Sequence, residues 1–148
     1  MNIANFLTQN DVMTEVRASD KDKLLKDLST RAALEVGLDP ALVSAEILKR
    51  EELGSTGLGS GVAIPHARIP GLGKARGVLA QLNRAIDFAA IDEEPVDLVF
   101  LLLLPNSSTG EQLNALAAVA RQLRRPTIAA MLRKARDGSE AYNAMLMP

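Results

Sequence analysis

Residues 96–104 read Val-Asp-Leu-Val-Phe-Leu-Leu-Leu-Leu, with Asp97 the only polar interruption. A strand with one wet face alternates apolar and polar side chains, so a near-continuous apolar run calls for a central strand covered on both faces. Its uninterrupted part, residues 98–104, is far shorter than the ~20 residues a membrane helix needs. The chain must therefore supply apolar cover for two faces, and the periodic segments on either side of the run do so. A helix starts at Ser19 or Asp20, with Asp22 in its first turn to suit the dipole. Leu24, Leu25, Leu28, Ala32 and Val36 share one arc of it, and Gly37 closes it. Asp39 and Pro40 open a second helix as cap and first residue. Beyond the run, the loop 105–110 ends in a Ser/Thr cap for a helix over 111–123, and residues 127–135 and 139–146 read as two more. The shorter pieces are a helical turn at 3–7, an edge strand at 12–16, strands at 62–64 and 76–82, a turn at 70–73, and a bridge at 88–90. A solvated acidic turn follows at 92–95. This order places a sheet between helix layers, and 148 residues suit a single domain, 1–148.

Charge and composition exclude several functions. A formal net charge of −1 gives no general pull towards nucleic acid or an anionic membrane. Aromatic residues are 3% and tryptophan is absent, which disfavours stacking on bases. With no cysteine and one histidine, no metal site and no cofactor is expected. The absence of cysteine and of a signal-peptide pattern at the start suits a cytoplasmic home.

That one histidine, His66, sits in the stretch 50–68, REELGSTGLGSGVAIPHAR, among glycines 54, 57, 59 and 61. Glycines at this density mark a backbone with left-handed or extended turns. The apolar 62–64 segment suits a buried strand and Pro65 ends its pairing, so His66 is expected where a strand stops and a loop begins. A lone histidine is most often a surface or satisfied core residue. Against that reading, Arg50 and Arg68, glycine amides and the hydroxyls of Ser55, Thr56 and Ser60 together equip the stretch for a phosphoryl group. Thr56, Gly59 and Gly61 are the candidate phosphate contacts. Arg50 falls on the helix arc of Leu42, Val43 and Ile47, which should face inward. It is either a partner for an anion at His66 or a cation that suits a helix C-terminus.

The same stretch resembles the active-site signature of the fructose/mannitol-type IIA proteins of the bacterial phosphotransferase system, and residues 85–105 are similar to its nitrogen-regulatory branch. The resemblance spans about residues 5–146. It implies a three-layer α/β/α fold around a mixed sheet of about five strands, with His66 as phosphoryl acceptor and Arg50 stabilising the phosphoryl group. In such proteins a second histidine precedes the leucine corresponding to Leu113. Here Gln112 stands in its place, either filling the helix start or offering an amide to a phosphate oxygen. The implied donor is a small histidine phosphocarrier protein. The implied output is regulation of cytoplasmic targets, such as sensor kinases or ion-transport regulators, according to phosphorylation state. The alternatives are a sugar-uptake component passing phosphate to a separate IIB cysteine and a binding module that is never phosphorylated.

Overall fold

The computed structural model describes residues 2–106 and 110–148. A short 3-10 turn, Ile3–Asn5, capped by the Asn2 side chain, and a second at Gln9–Asp11 lead into β1 (Val12–Val16). Helices α1 (Lys21–Val36) and α2 (Pro40–Glu52) follow. Then come β2 (Gly57–Gly59), β3 (Val62–Ala63), β4 (His66–Ile69), β5 (Arg76–Ile86) and β6 (Val96–Pro105), and finally α3 (Glu111–Leu123), α4 (Pro126–Lys134) and α5 (Gly138–Met145). The sheet thus has six strands, ordered β1-β5-β6-β3-β2, with β4 also on β6. It is mixed. β1 lies parallel to β5, β3 and β4 lie parallel to β6, and the β5–β6 and β2–β3 pairs are antiparallel.

The apolar run of β6 is the centre of the molecule, as its lack of alternation demands. Its Val99, Leu101 and Leu103 face α1 and α2, packing with Leu24, Leu25, Leu28, Val43 and Ile47. Leu98, Phe100, Leu102 and Leu104 face the opposite layer of α3, α4 and α5, with Ala115, Val119, Ile128 and Leu132. Local signals set the helix ends. Asp20 accepts a hydrogen bond from the Lys23 N–H, Asp39 caps α2 ahead of Pro40, and Gly37 ends α1 at φ +71°, a left-handed turn that glycine adopts without a Cβ clash.

Four expectations change. Leu42 is 41% exposed rather than turned inward, so the buried stripe of α2 is Val43, Ile47 and Glu51. The Ser/Thr cap expected for α3 lies outside the described residues, and Gly110 holds the N-cap position without a side-chain cap. Asp92 in the acidic turn is not merely solvated, because its Oδ2 accepts the Ser60 N–H at 3.0 Å. Finally, β5 runs on to Ile86. The buried Gln81 near its middle donates to the carbonyls of Leu132 (2.7 Å) and Ala135 (2.9 Å) and accepts the Glu15 N–H at 2.9 Å. One amide therefore ties the sheet to the end of α4, satisfying buried backbone groups that would otherwise be left unpaired.

Candidate functional site

β3 and β4 lie end to end along the same side of β6, parted by Ile64 and Pro65. Val62 pairs with Leu98, and His66 pairs with Leu102. Pro65 has no N–H to give, yet its carbonyl accepts from Leu102 N at 2.9 Å, so pairing resumes directly after it. His66 therefore opens a strand rather than a loop. Side chains alternate across a sheet: Ala67 and Ile69 turn to the α1/α2 layer. His66 and Arg68 turn to the α3 side with their partners Leu102 and Leu104.

The ring is half-buried, with Nδ1 2.7 Å from the Ile64 carbonyl oxygen. A carbonyl only accepts, so Nδ1 carries the proton and, in the neutral ring, Nε2 keeps the lone pair. Burial is the largest influence on the titration and lowers the pKa below the usual 6.5. The Arg50 guanidinium lowers it further, whereas the Ile64 carbonyl and the Glu51 carboxylate oppose the shift. The net effect favours the neutral imidazole. The neutral ring is thus held in one orientation, with its proton on Nδ1 and the Nε2 lone pair on the opposite side.

Arg50 comes from the last turn of α2, and its guanidinium donates to the Gly54 carbonyl at 3.1 Å. Its neighbour Glu51 is the buried charge of this helix. Glu51 accepts the Thr56 N–H at 2.8 Å, the Thr56 hydroxyl at 2.9 Å and the Lys21 ammonium at 2.9 Å. Lys21 also donates to the Phe88 carbonyl at 3.1 Å and lies 4.5 Å from the centre of the Phe88 ring. Sequence reasoning missed Glu51. The signal was present, because Glu51 continues the 43–47 stripe at the next i, i+4 step, and an acid on an apolar stripe requires a buried partner.

The network changes the reading of Thr56. Both of its donors bind Glu51, so it secures the loop behind the site instead of presenting them to an anion. Gly59 and Gly61 are also displaced from the role expected of them. Leu98 and Leu102 are four residues apart on β6, which puts the β2–β3 hairpin about 13 Å down the strand from His66. The glycines there serve the hairpin. Its loop residues Ser60 and Gly61 have φ +57° and +81°, as a two-residue primed turn asks. A Cβ on Gly61 would also lie 2.7 Å from the Arg133 guanidinium, which is paired with Asp97.

Gln112 is buried in the first turn of α3, on the side of the sheet to which His66 points, and its Nε2 donates to the Pro105 carbonyl at the end of β6. The amide anchors the start of α3 to β6, the strand on which the His66 strand pairs. The fold therefore brings Arg50 to His66, sets Gln112 on the same face, and leaves Gly59 and Gly61 elsewhere. Among the described residues, no group of three or more His, Cys, Asp or Glu is placed to hold a metal ion, and no helix is long and apolar enough to cross a membrane.

Residues 5–146 match the family described as "Phosphoenolpyruvate-dependent sugar phosphotransferase system, EIIA 2". The chain belongs to this type-2 EIIA family. Within it, the similarity is to the nitrogen-regulatory branch. A nitrogen regulatory protein of Bradyrhizobium diazoefficiens is 40% identical over 148 residues, covering 100% of this chain and 97% of that protein. One from Klebsiella oxytoca is 40% identical over 143 residues, 96% of this chain and 88% of its own length. The crystal structure of nitrogen regulatory protein IIA-Ntr from Neisseria meningitidis superposes with a TM-score of 0.91 at 32% identity, covering 97% of this chain and 98% of that one. The type-2 EIIA fold thus accounts for the three layers and the mixed sheet.

Proposed function

We propose that this type-2 EIIA protein accepts a phosphoryl group on His66 Nε2 from the phosphohistidine of a small histidine phosphocarrier protein, and that its phosphorylation state sets which cytoplasmic proteins it binds. The observation that carries the reading is the 2.7 Å contact between His66 Nδ1 and the Ile64 carbonyl, which fixes the proton on Nδ1 and frees Nε2 to attack. In the step, a bond forms between Nε2 and phosphorus while the phosphorus–nitrogen bond of the donor breaks in line. The electron pair returns to the donor's ring nitrogen.

Arg50 offsets the charge arriving at the ring, with the forked donor geometry suited to phosphoryl oxygens. Its bond to Gly54 and the lock of Glu51 on Thr56 hold the end of α2 in place, so this compensation is organised before the donor docks. Gln112 contributes through its hold on β6 and as a neutral amide, unable to become cationic where related proteins have a histidine. A dianionic group added to a half-buried surface creates or abolishes an interface without any change of fold. Targets of the sensor-kinase or ion-transport-regulator kind would read that change.

Incubation with a phosphocarrier system followed by intact-mass measurement tests the assignment. The wild type gains one acid-labile, alkali-stable phosphoryl group and His66→Ala gains none. An equal mass gain in His66→Ala would place the phosphoryl group elsewhere.

A further inference from the structure

Between Arg121 and Arg136 the chain has six cations, Arg121, Arg124, Arg125, Arg133, Lys134 and Arg136, and no acidic residue. The whole chain has 17 Lys and Arg against 18 Asp and Glu, so this segment is a basic pole on an otherwise acidic molecule. Three of its cations are engaged within the fold. Arg125 donates to Gln122 and to the carbonyls of Met147 and Pro148. Arg133 is clamped on Asp97 and the Ser60 carbonyl, and Arg136 pairs with Glu140. Arg124 and Lys134 are exposed, and their side chains have no hydrogen bond or ion pair with any described residue.

These two cations flank a cavity of about 450 Å³ between α3, α4 and the β2–β3 hairpin, whose apolar wall includes Leu58, Val62, Leu123 and Ala129. An apolar hollow of this size takes a large side chain, and unpaired cations at its margin take carboxylates. We propose that this is a docking site for a partner protein's acidic segment carrying one large aliphatic or aromatic side chain. The side chain fills the cavity, and flanking carboxylates meet Arg124 and Lys134. A nucleic-acid backbone would satisfy the cations but has no group for the hollow, and a bilayer surface offers no protrusion to enter it. Charge complementarity together with the concavity therefore favours a protein segment. Val62 in the wall lies about 13 Å along the strand from His66, so docking here does not use the phosphoryl site. The proposal stands or falls separately from phosphorylation.

The test uses the full chain, isotope-labelled, and an array of acidic twelve-residue peptides. Each has Leu, Ile, Met or Phe at its centre, with an Ala-centred peptide as control. Members with a large centre should shift the amide resonances of Leu58, Val62 and Ala129. Arg124→Glu combined with Lys134→Glu should weaken binding at least about tenfold, and Ala130→Trp, at an exposed position lining the cavity, should block it. If the tryptophan variant does not fold, the charge reversals, made at exposed unpaired positions, still decide. An array that moves none of these resonances overturns the proposal, as does equal binding by the Ala-centred control. Tighter binding at this site by a single-stranded RNA or by phosphatidylglycerol vesicles also overturns it.

Discussion

Replacing Glu51 with glutamine keeps the shape of the side chain and removes its charge, which isolates what the buried carboxylate does. In the wild type, its two oxygens accept three donors, the Thr56 N–H, the Thr56 hydroxyl and the Lys21 ammonium, at 2.8–2.9 Å. The Glu51 side chain is 4% exposed and that of Lys21 19%. In Glu51→Gln the amide oxygen still accepts the Thr56 N–H, and the amide nitrogen meets a hydroxyl that can rotate to accept. The loss falls on Lys21, left largely buried without its counter-charge. Breaking a fully buried pair in this way costs about 3–5 kcal/mol. Lys21 retains some solvent access and its bond to the Phe88 carbonyl, so a cost of about 2–3 kcal/mol is expected. With a urea slope of about 2 kcal/mol/M, the midpoint should fall by roughly 1–1.5 M. Lys21→Met combined with Glu51→Gln should recover part of that loss, because no unpaired charge then stays buried. Urea unfolding of the wild type, both single variants and the pair at neutral pH makes the comparison. A Glu51→Gln midpoint within experimental error of wild type would refute the argument and reduce the network to a surface ion pair.

Three further outcomes follow from the same geometry. Arg50→Lys keeps the charge but loses the fork, so charging by the phosphocarrier should slow by about tenfold or more while Tm stays within a few degrees; unfolding instead would make Arg50 a structural residue. Because the His66 pKa lies below its unfolded value, the unfolded chain binds more protons in the window just under pH ~6.5. The stability contributed by neutral His66 is full above that window and lost as pH falls through it. A His66→Gln variant should therefore show a shallower acid-side decline in urea titrations, and parallel declines would contradict the shift. Gln112→His should speed phosphoryl discharge to a purified IIB-type acceptor more than it changes charging, measured in single turnovers; fast discharge by the wild type, unchanged in the variant, would return the sugar-transport reading to first place.

Much of this architecture was legible because it rests on local chemistry. Asp20, Gly37, Asp39 and Pro40 mark helix ends by capping and backbone preference. The missing alternation in 96–104 identified the central strand before any topology was known. Periodicity could not supply pairing across the sheet. That the chain resumes a strand at His66 depends on a Leu102–Pro65 hydrogen bond between residues 37 apart in sequence. Placing Gly59 and Gly61 near the histidine followed from closeness in sequence, which an extended strand turns into distance in space. Glu51 was overlooked for a related reason. Its partner Lys21 lies 30 residues away at the start of another helix, beyond the reach of a local pattern.

The proposed role of His66 Nε2 as the nucleophilic nitrogen is directly observable, because the chain has a single histidine. Long-range proton–nitrogen correlation spectra of protein labelled with nitrogen-15 in histidine would read the tautomer, and phosphorus–nitrogen coupling after charging would identify the bonded atom. The expected result is a neutral ring protonated at Nδ1 at neutral pH, and a phosphoryl group on Nε2 once the phosphocarrier has acted. A ring protonated at Nε2, or a phosphoryl group on Nδ1, would contradict it.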